Sequence, residues 1–325
     1  MINDITSNHI KEFLSFDEGY ELVREEVDKT LSTSPFVIRE YTEHLAGSTG
    51  KFIRAASLLI SAMNEDDMIP KDAVKLAAAI ELIHLATLVH DDIIDNAEIR
   101  RGKPSLQKKY GRRTAVICGD YLLCIALKTA SEVEVKDNYV KRSVPDYMSM
   151  VCLGELKQHV NNGNFDLTVH GYLRIIAGKT AALFAASFHG GAALIEENVS
   201  IVRQYARLGK YIGMIFQLTD DCMDFEAAEQ TAKKPVRSDY EQQVITLPLI
   251  HAFKSISGFK DKAKTDGVSR EDIDSAVKKS GGLAYTRLIA KAYCKKSRAI
   301  IDNLKLTDAK REKLLSMLDK AYRVF

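Results

Sequence analysis

Apolar positions along this chain recur at helical spacing almost throughout. The clearest window, AVKLAAAIELIHLATLVHDDIID, runs from Ala73 to Asp95. Alternation with a period of two residues, which would indicate half-buried strands, is nearly absent. Only six prolines and eighteen glycines occur in 325 residues, so long segments are free of helix breakers. We therefore predict an all-α fold with a single domain over residues 1–325.

Breaks between the apolar windows define the individual helices. We predict helices over residues 4–32, from 36, 51–63, 71–95, 113–130, 147–161, 172–188 and 199–224, and then from 248 to 325 with short polar breaks. Gly190 and Gly191 are predicted to stop the helix that starts at Tyr172. Thr246 is predicted to cap a helix with Pro248 just inside its start.

Two long helices are predicted to end in aspartate clusters with the spacing DDxxD. The first cluster is Asp91, Asp92 and Asp95, and the second is Asp220, Asp221 and Asp224. Since residues i and i+4 share a helix face, the first and last carboxylates of each cluster project together. Two like charges about 4 Å apart repel by about 4 kcal/mol at an effective dielectric constant near 20. A hard cation such as Mg²⁺, shared with substrate phosphates, would offset this repulsion.

A single cluster could be no more than a solvated helix end, but basic residues follow both clusters. Arg100 and Arg101 follow the first cluster, and Lys233 and Lys234 follow the second. Lys179 interrupts an apolar, alanine-rich helix and needs an anionic partner. Carboxylates, a divalent cation and basic side chains together indicate a diphosphate-binding site.

Lys51 and Arg54 offer two further cations, three residues apart near a predicted helix start. Free amides at that helix start would suit a phosphate group, although a solvated helix end is the alternative. His84 lies in an apolar run, where the alternative to a binding role is a hydrogen-bonded core histidine.

Composition limits the location and the partners. The net charge of +2 gives no general attraction to nucleic acid or anionic membranes. The five cysteines are scattered without a CxxC pair, which predicts reduced thiols. The N-terminal residues lack a signal-peptide pattern, and the apolar run from Leu76 to Val89 is too short to span a bilayer. We expect a cytoplasmic protein without a transmembrane segment.

The chain resembles the trans-isoprenyl diphosphate synthase family, the polyprenyl synthetases. The resemblance runs from Gly50 to the C-terminal helices and is carried by LIHLATLVHDDIIDNAEIRRGKPS, GDYLL, GELKQ, GKTAALFAAS and FQLTDDCMD. Within the family it is most similar to the catalytic component of medium- and long-chain synthases. The resemblance implies an isoprenoid-synthase-type helical bundle around a deep central cavity. It also implies a homodimer, or a heterodimer with a small subunit.

The resemblance also implies roles for individual residues. About three Mg²⁺ ions per active site are expected when substrate is bound, on Asp91, Asp92, Asp95, Asp220 and Asp224. The allylic diphosphate is expected to contact Arg100, Lys179, Gln217 and Lys234. Isopentenyl diphosphate is expected to contact Lys51, Arg54, His84 and Arg101. Thr180 is expected near the reacting carbon, and the residues assigned to catalysis are Asp91, Asp92, Lys179, Asp220 and Asp221.

The implied reaction is ionisation of the allylic diphosphate, attack by the isopentenyl double bond and loss of a proton, with no protein nucleophile. In this family a bulky aromatic residue just before the first cluster shortens the product. Ala86 and Thr87 are small, and Ile83 lies one turn further, so we predict a C30 to C40 product. The alternatives are a short-chain synthase, a catalytic subunit active only with a small partner, and a helical scaffold without catalysis.

Four positions depart from the family pattern. Lys233 replaces a glycine, Val244 a lysine, Ala55 a proline and Thr49 a glycine. The loss of the lysine at Val244 removes one possible counter-charge for the allylic diphosphate. We expect this loss to affect efficiency more than the class of reaction.

Overall fold

The protein is described by a computed structural model that covers residues 13–46, 50–133, 147–230 and 243–322. Within these ranges the chain forms fifteen α-helices and two short antiparallel ribbons, which confirms the all-α prediction. The helices are α1 (Phe16–Ser32), α2 (Phe36–Ala46), α3 (Ile53–Ser61), α4 (Asp72–Ile94), α5 (Leu106–Tyr110), α6 (Arg112–Ser131), α7 (Tyr147–Val160), α8 (Val169–Lys179), α9 (Ala181–Ile195), α10 (Val199–Gln230), α11 (Leu247–Ser255), α12 (Phe259–Thr265), α13 (Arg270–Ser280), α14 (Gly282–Asn303) and α15 (Asp308–Tyr322).

Each ribbon consists of two strands of two residues. β1 (Phe13–Leu14) pairs with β2 (Ile69–Pro70), with Leu14 opposite Ile69. β3 (Ile99–Arg100) pairs with β4 (Lys103–Pro104), with Arg100 opposite Lys103. The second ribbon is a hairpin that directly follows the first aspartate cluster, so it fixes the arginines that come after the cluster.

The chain divides into two compact units. Unit 1 comprises residues 1–138 and 190–197, and unit 2 comprises residues 139–189 and 198–325. Helix α9 is continuous, with residues 181–189 in unit 2 and its last turns in unit 1. The expectation of a single domain over residues 1–325 remains a prediction.

Unit 1 is built around α4, which contacts α1, α3 and α6. Its run Ala77–Ala79 is fully buried, and such small side chains let neighbouring helices approach closely. Gly119 of α6 serves the same purpose, since a β-carbon there would lie 2.2 Å from Nε2 of His90. The α4–α6 contact therefore fixes the end of α4 where the first aspartate cluster begins.

Unit 2 is built around α10 and α14, which pack along each other. Its apolar core includes Tyr172 and Ile176 of α8, Leu218 of α10 and Leu249 of α11. The first half of α9 approaches α10 closely, because a β-carbon at Gly213 would lie 2.6 Å from the Cα of Ala181. This packing fixes the part of α10 that leads to the second aspartate cluster.

The predicted helix over residues 4–32 starts too early. Helix α1 begins at Phe16, where Ser15 and Glu18 form a capping box. Residues 13 and 14 belong to strand β1 instead, and residues 1–12 lie outside the described part of the chain. The capping box is a stronger local signal for the helix start than the apolar pattern before it.

The predicted helix over 172–188 is also wrong at its boundaries. The chain breaks between α8 and α9 at Thr180, and α9 continues through Gly190 and Gly191 to Ile195. A β-carbon at Gly191 would lie 2.1 Å from the carbonyl oxygen of Leu58. These glycines therefore permit a close approach to α3 and do not end the helix.

The start of α11 agrees with the prediction at Thr246, which is the N-cap residue with Pro248 in the first turn. The hydroxyl group of Thr246 makes no capping hydrogen bond, however. Among the described residues, α4 and α6 have the length and composition that could cross a membrane. Core helices of soluble proteins pass the same test, and α4 is mostly buried, so this evidence for a membrane span is weak.

Candidate active site

The first aspartate cluster lies at the C-terminal end of α4. Asp91 and Asp95 are half-buried and one helical turn apart, so their carboxylates share a face. Asp92 is buried and accepts a hydrogen bond from Nε of Arg100 at 2.8 Å and a second from Nη2 of the same side chain. Asp91 and Asp95 are thus more exposed to solvent than Asp92, whose charge is neutralised by Arg100.

The hairpin after the cluster positions Arg100 and Arg101. Arg101 and Gly102 form its two-residue loop, with φ angles of 51° and 79°, as in a type I′ turn. Arginine is unusual in this left-handed conformation, which costs a non-glycine residue about 1–2 kcal/mol. A β-carbon at Gly50 would lie 2.6 Å from Nη2 of Arg101. The turn thus holds this guanidinium beside the segment that carries Lys51.

Lys51 and Arg54 lie on either side of the start of α3. Lys51 is exposed and precedes the helix by two residues, whereas Arg54 is half-buried in its first turn. The amides at this helix end are less free than the sequence suggests, because the N–H group of Ala55 donates to Oε1 of Glu81 at 2.9 Å. The proline that the family pattern has at residue 55 could not make this bond.

Glu81 and His84 lie one turn apart on α4 and face this cationic group. Burial raises the pKa of Glu81, against the N–H of Ala55 and the charges of Arg54 and Arg101, which lower it. Burial also lowers the pKa of Arg54 to about 10, and Glu81 acts in the opposite direction. Burial and the nearby arginines together hold the pKa of His84 well below its ordinary value. His84 is therefore a neutral hydrogen-bonding group at neutral pH.

The donor set of the first cluster fits Mg²⁺ shared with a substrate. No three acidic, histidine or cysteine side chains converge as a ready-made metal cage within the part of the chain that is described. Mg²⁺ does not need such a cage, because it commonly binds through one or two carboxylates, waters and substrate phosphates. The half-buried carboxylates of Asp91 and Asp95, which share one helix face, meet that requirement.

The second aspartate cluster lies on α10 in unit 2. Asp220 is exposed, whereas Asp221 is buried and accepts hydrogen bonds from Nε2 of Gln217 at 2.9 Å and from the hydroxyl group of Tyr172. Gln217 in turn accepts a hydrogen bond from the hydroxyl group of Thr180 at 2.7 Å. Asp221 therefore anchors a chain of hydrogen bonds that fixes Gln217 and Thr180.

Asp224, the last member of the second cluster, faces a basic side chain. Nη2 of Arg270 lies 4.0 Å from its carboxylate and donates to its carbonyl oxygen at 3.4 Å. Arg270 is shared with Asp274, which accepts from Nε at 2.9 Å. Asp220 is exposed and Asp224 half-buried, so the Asp220 carboxylate is the more accessible to solvent.

Lys179, at the end of α8, forms an ion pair with Glu155 of α7 at 2.9 Å. The two helices meet at glycines, since a β-carbon at Gly154 would lie 2.1 Å from the backbone nitrogen of Lys179. The partner that the sequence demanded for Lys179 is therefore Glu155. The predicted residues Lys233 and Lys234 lie outside the described part of the chain.

The positions predicted to set product length lie along α4, before the first cluster. Ala86 and Ile83 are buried, at 0% and 7% exposure. Thr87 is half-buried, and its hydroxyl group donates to the carbonyl oxygen of His84 at 2.8 Å. No Phe, Tyr or Trp occurs in α4.

Sequence reasoning missed three residues that hold the predicted ones in position. Glu81 contacts the first turn of α3, Glu155 pairs with Lys179, and Tyr172 holds Asp221. A carboxylate inside an apolar helix, one turn from a histidine, was an available signal for Glu81. Tyr172 offered no such signal, because its position fits an ordinary apolar helix face.

Comparison with known proteins gives consistent results. The family model described as polyprenyl synthetase matches residues 36–280. Heptaprenyl diphosphate synthase component 2 of Geobacillus stearothermophilus is 33% identical over 306 residues, which are 92% of this chain and 93% of that protein. A short chain isoprenyl diphosphate synthase of Methanocaldococcus jannaschii is 33% identical over 246 residues, 74% of this chain and 73% of that one.

A solved structure shares the fold. The crystal structure of heptaprenyl diphosphate synthase from Staphylococcus aureus superposes with a TM-score of 0.85 at 31% identity, covering 96% of this chain and 99% of that one. The resemblance seen in the sequence, including the similarity to a catalytic component of a medium- or long-chain synthase, is confirmed.

Proposed function

The chain belongs to the polyprenyl synthetase family and is a prenyltransferase, and on this premise we propose that it condenses isopentenyl diphosphate with an allylic diphosphate. The proposed reaction depends on Mg²⁺ and yields a trans-polyprenyl diphosphate of C30 to C40. The observation that carries the proposal is the group of cations that act on His84, on the same helix that ends in the carboxylates of Asp91 and Asp95. Such a group is suited to a diphosphate and its metal.

Within unit 1, Lys51, Arg54 and Arg101 are proposed to bind the diphosphate of isopentenyl diphosphate. Arginine presents a planar fork that matches phosphate oxygens, and lysine adds a point charge. His84 is neutral and is proposed to contribute a hydrogen bond only. The negative charge of the diphosphate is then neutralised by the three cations.

Asp91, Asp92 and Asp95, together with Asp220 and Asp224, are proposed to hold Mg²⁺, about three ions when substrate is bound. When bound, the metal neutralises charge on the departing diphosphate. Of the first cluster, the half-buried Asp91 and Asp95 are better suited to direct contact than the buried Asp92. Asp92, paired with Arg100, is better suited to holding that arginine.

The allylic diphosphate is proposed to contact Lys179 and Gln217 of unit 2, with Arg100 and Lys234 in the same role by resemblance. Lys179 is one-third exposed beside Glu155 and can reach an incoming anion. The hydrogen bonds from Asp221 through Gln217 to Thr180 favour a fixed hydroxyl group near the reacting carbon.

The residues act by binding and charge neutralisation, and none needs to form a covalent bond. Cations take up the charge that develops as the carbon–oxygen bond of the allylic diphosphate breaks and its electron pair leaves with diphosphate. The isopentenyl double bond supplies the electron pair for the new carbon–carbon bond. A proton then leaves the adjacent carbon, and the released diphosphate is the proposed acceptor.

Product length is proposed to depend on Ala86, Thr87 and Ile83. A small, buried Ala86 leaves room beside α4 that an aromatic ring would fill. We expect Ala86→Phe to shorten the main product below C30, as sized by reversed-phase chromatography. Ala78→Ser, a small change at a buried position further along α4, is the control, and an unchanged product from Ala86→Phe would contradict the assignment.

Two alternatives remain within the same chemistry. The 33% identity to a protein named a short chain isoprenyl diphosphate synthase supports a shorter product. The similarity to a protein named component 2 supports a catalytic subunit that needs a small partner. The mostly buried α4 argues against a membrane span, and we propose a cytoplasmic location for either.

The test is an assay of the purified protein with farnesyl diphosphate, labelled isopentenyl diphosphate and Mg²⁺. Chains of C30 to C40 from the protein alone support the main proposal, and C15 or C20 products support the short-chain alternative. Activity only after addition of a small partner subunit supports the third possibility. No Mg²⁺-dependent incorporation under any of these conditions would overturn the proposed function.

A further inference from the structure

Glu81 is the one acidic residue of α4 between Asp72 and Asp91. It is half-buried, and its Oε1 accepts a hydrogen bond from the N–H of Ala55 in the first turn of α3 at 2.9 Å. A carboxylate in an apolar helix loses favourable hydration, so its retention there needs compensating partners.

The partners of Glu81 are all hydrogen-bond donors or cations. The backbone N–H groups of Ala55 and Arg54 face it, and the guanidinium charges of Arg54 and Arg101 act on it. An ionised carboxylate is purely an acceptor, so it can satisfy several donors at once. Glu81 thus joins α4 to the first turn of α3, and the charge of Arg101 acts on it from the hairpin.

We propose that Glu81 is a positioning residue for isopentenyl diphosphate, which holds Arg54 and Arg101 in the orientation that meets the diphosphate. This inference rests on the proposed function, because that diphosphate is the anion assigned to these two arginines. Holding two long side chains before the substrate arrives reduces the entropy that binding would otherwise cost.

The charge of Glu81 and its positioning role predict opposite changes in the affinity for isopentenyl diphosphate when Glu81 is replaced. A negative charge beside a site for a diphosphate repels the substrate through space. If Glu81 acted only through its charge, its removal would tighten the binding of isopentenyl diphosphate. If it positions the arginines, its removal weakens binding despite the relief of repulsion.

Glu81→Gln separates these outcomes, because glutamine has the same size without the charge. Its amide NH₂ group would face donors and disturb the arrangement around Arg54. Glu132→Gln is the matched control, since Glu132 pairs with Lys75 of α4 at 3.3 Å but is half-exposed. Glu81→Asp keeps the charge on a shorter stem and serves as the second variant.

The measurements are the Kd of isopentenyl diphosphate by calorimetry without Mg²⁺ or primer, and the KM values of both substrates. We expect Glu81→Gln to raise the Kd and KM for isopentenyl diphosphate about tenfold and to leave the KM for the allylic primer within about twofold. Glu81→Asp should be intermediate, and Glu132→Gln should match the wild type. Unchanged or tighter binding by Glu81→Gln, or equal weakening for both substrates, would overturn the inference.

The wild-type protein separates this inference from the proposed function. If it neither binds isopentenyl diphosphate nor elongates a primer, with or without a small partner, the proposed function itself fails. If the wild type does both and Glu81→Gln binds normally, the inference about Glu81 alone fails. Should circular dichroism show that Glu81→Gln is unfolded, wild-type affinity in a folded Glu81→Asp would overturn the inference.

Discussion

The protonation of His84 is linked to the stability of the fold. Burial and the charges of Arg54, Arg101 and Arg100 keep its pKa well below the ordinary value, so the folded protein holds it neutral. The unfolded chain, with a histidine pKa near 6.5, binds the extra proton as the pH falls. Stability is therefore unaffected by His84 above that pH and decreases below it, by up to about 1.4 kcal/mol per pH unit.

Urea unfolding of the wild type and His84→Gln, between about pH 5 and pH 8, measures this effect. We expect a constant difference in unfolding free energy above about pH 7 and a growing advantage for the variant below about pH 6.5. All other titrating groups are the same in the two proteins, so their contributions to the pH dependence cancel in the difference. Parallel pH curves for the two proteins would contradict a neutral, buried His84.

Tyr172 is the residue on which the second cluster depends most directly. Both oxygens of the buried Asp221 are occupied, one by Gln217 and one by Tyr172. Tyr172→Phe leaves a buried carboxylate oxygen without this donor, which costs about 1–3 kcal/mol. We expect that loss in urea unfolding together with a lower kcat, whereas Tyr41→Phe, in unit 1, should change neither. An unchanged kcat in Tyr172→Phe would show that Asp221 needs no such anchor.

At the scale of elements, the approach of α7 to α8 depends on glycine. A β-carbon at Gly154 would meet backbone atoms of Gly178 and Lys179, at 2.5 Å and 2.1 Å, and the helices would have to separate. We expect Gly154→Ala to lower the unfolding free energy by about 1–3 kcal/mol, as for other overpacked cores. Gly171→Ala in the first turn of α8 is the control, because its nearest neighbour is a side-chain atom of Leu167 at 3.0 Å. Equal stability of the two variants would contradict the close approach.

The helices themselves were largely predictable, whereas the reasons for their breaks were not. The period of apolar residues identifies α4 and α10 because each helix buries a face along its own length. Gly191 has the local appearance of a helix end, and only its contact with Leu58, distant in sequence, explains its presence inside α9. The hairpin over residues 99–104 was missed because four paired residues are too few to produce a strand pattern.

The candidate site also has features that the sequence could predict and features that it could not. Asp91, Asp92 and Asp95 could be found from sequence, because repeated carboxylates at helical spacing require a reason within the segment itself. The pairing of Asp92 with Arg100 and of Lys179 with Glu155 could not, since each joins residues whose proximity depends on the fold. Sequence therefore identified the charges of the site, and the structure identified which of them are already neutralised.

For the whole molecule, the exposed face of α6 bears on the oligomeric state. Val116, Ile117 and Leu127 are 42%, 57% and 58% exposed, which is unusual for large apolar side chains on one helix. We predict that this face is covered by a second subunit. Ile117→Asp combined with Leu127→Asp should then give a smaller species in sedimentation velocity with unchanged helix content.

Lys305→Asp is the control for that experiment, because it alters the net charge by the same amount at an exposed position in unit 2. It should leave the sedimentation behaviour unchanged. If the wild type already sediments as a monomer and the double variant matches it, the apolar face of α6 has another occupant or none.

The division of α9 between the two units has a consequence for how the protein is made. Residues 190–197 complete unit 1, where Gly190 and Gly191 lie against side chains and backbone of Leu58 and Leu76. A ribosome that has synthesised only the first 138 residues has therefore not yet supplied part of the core of unit 1. Translation must pass through residues 139–189 of unit 2 before the N-terminal unit can finish folding, so the usual order of N-terminal folding first does not apply. A nascent chain stalled before residue 190 should remain sensitive to protease in its N-terminal helices, and one stalled well beyond residue 197 should not.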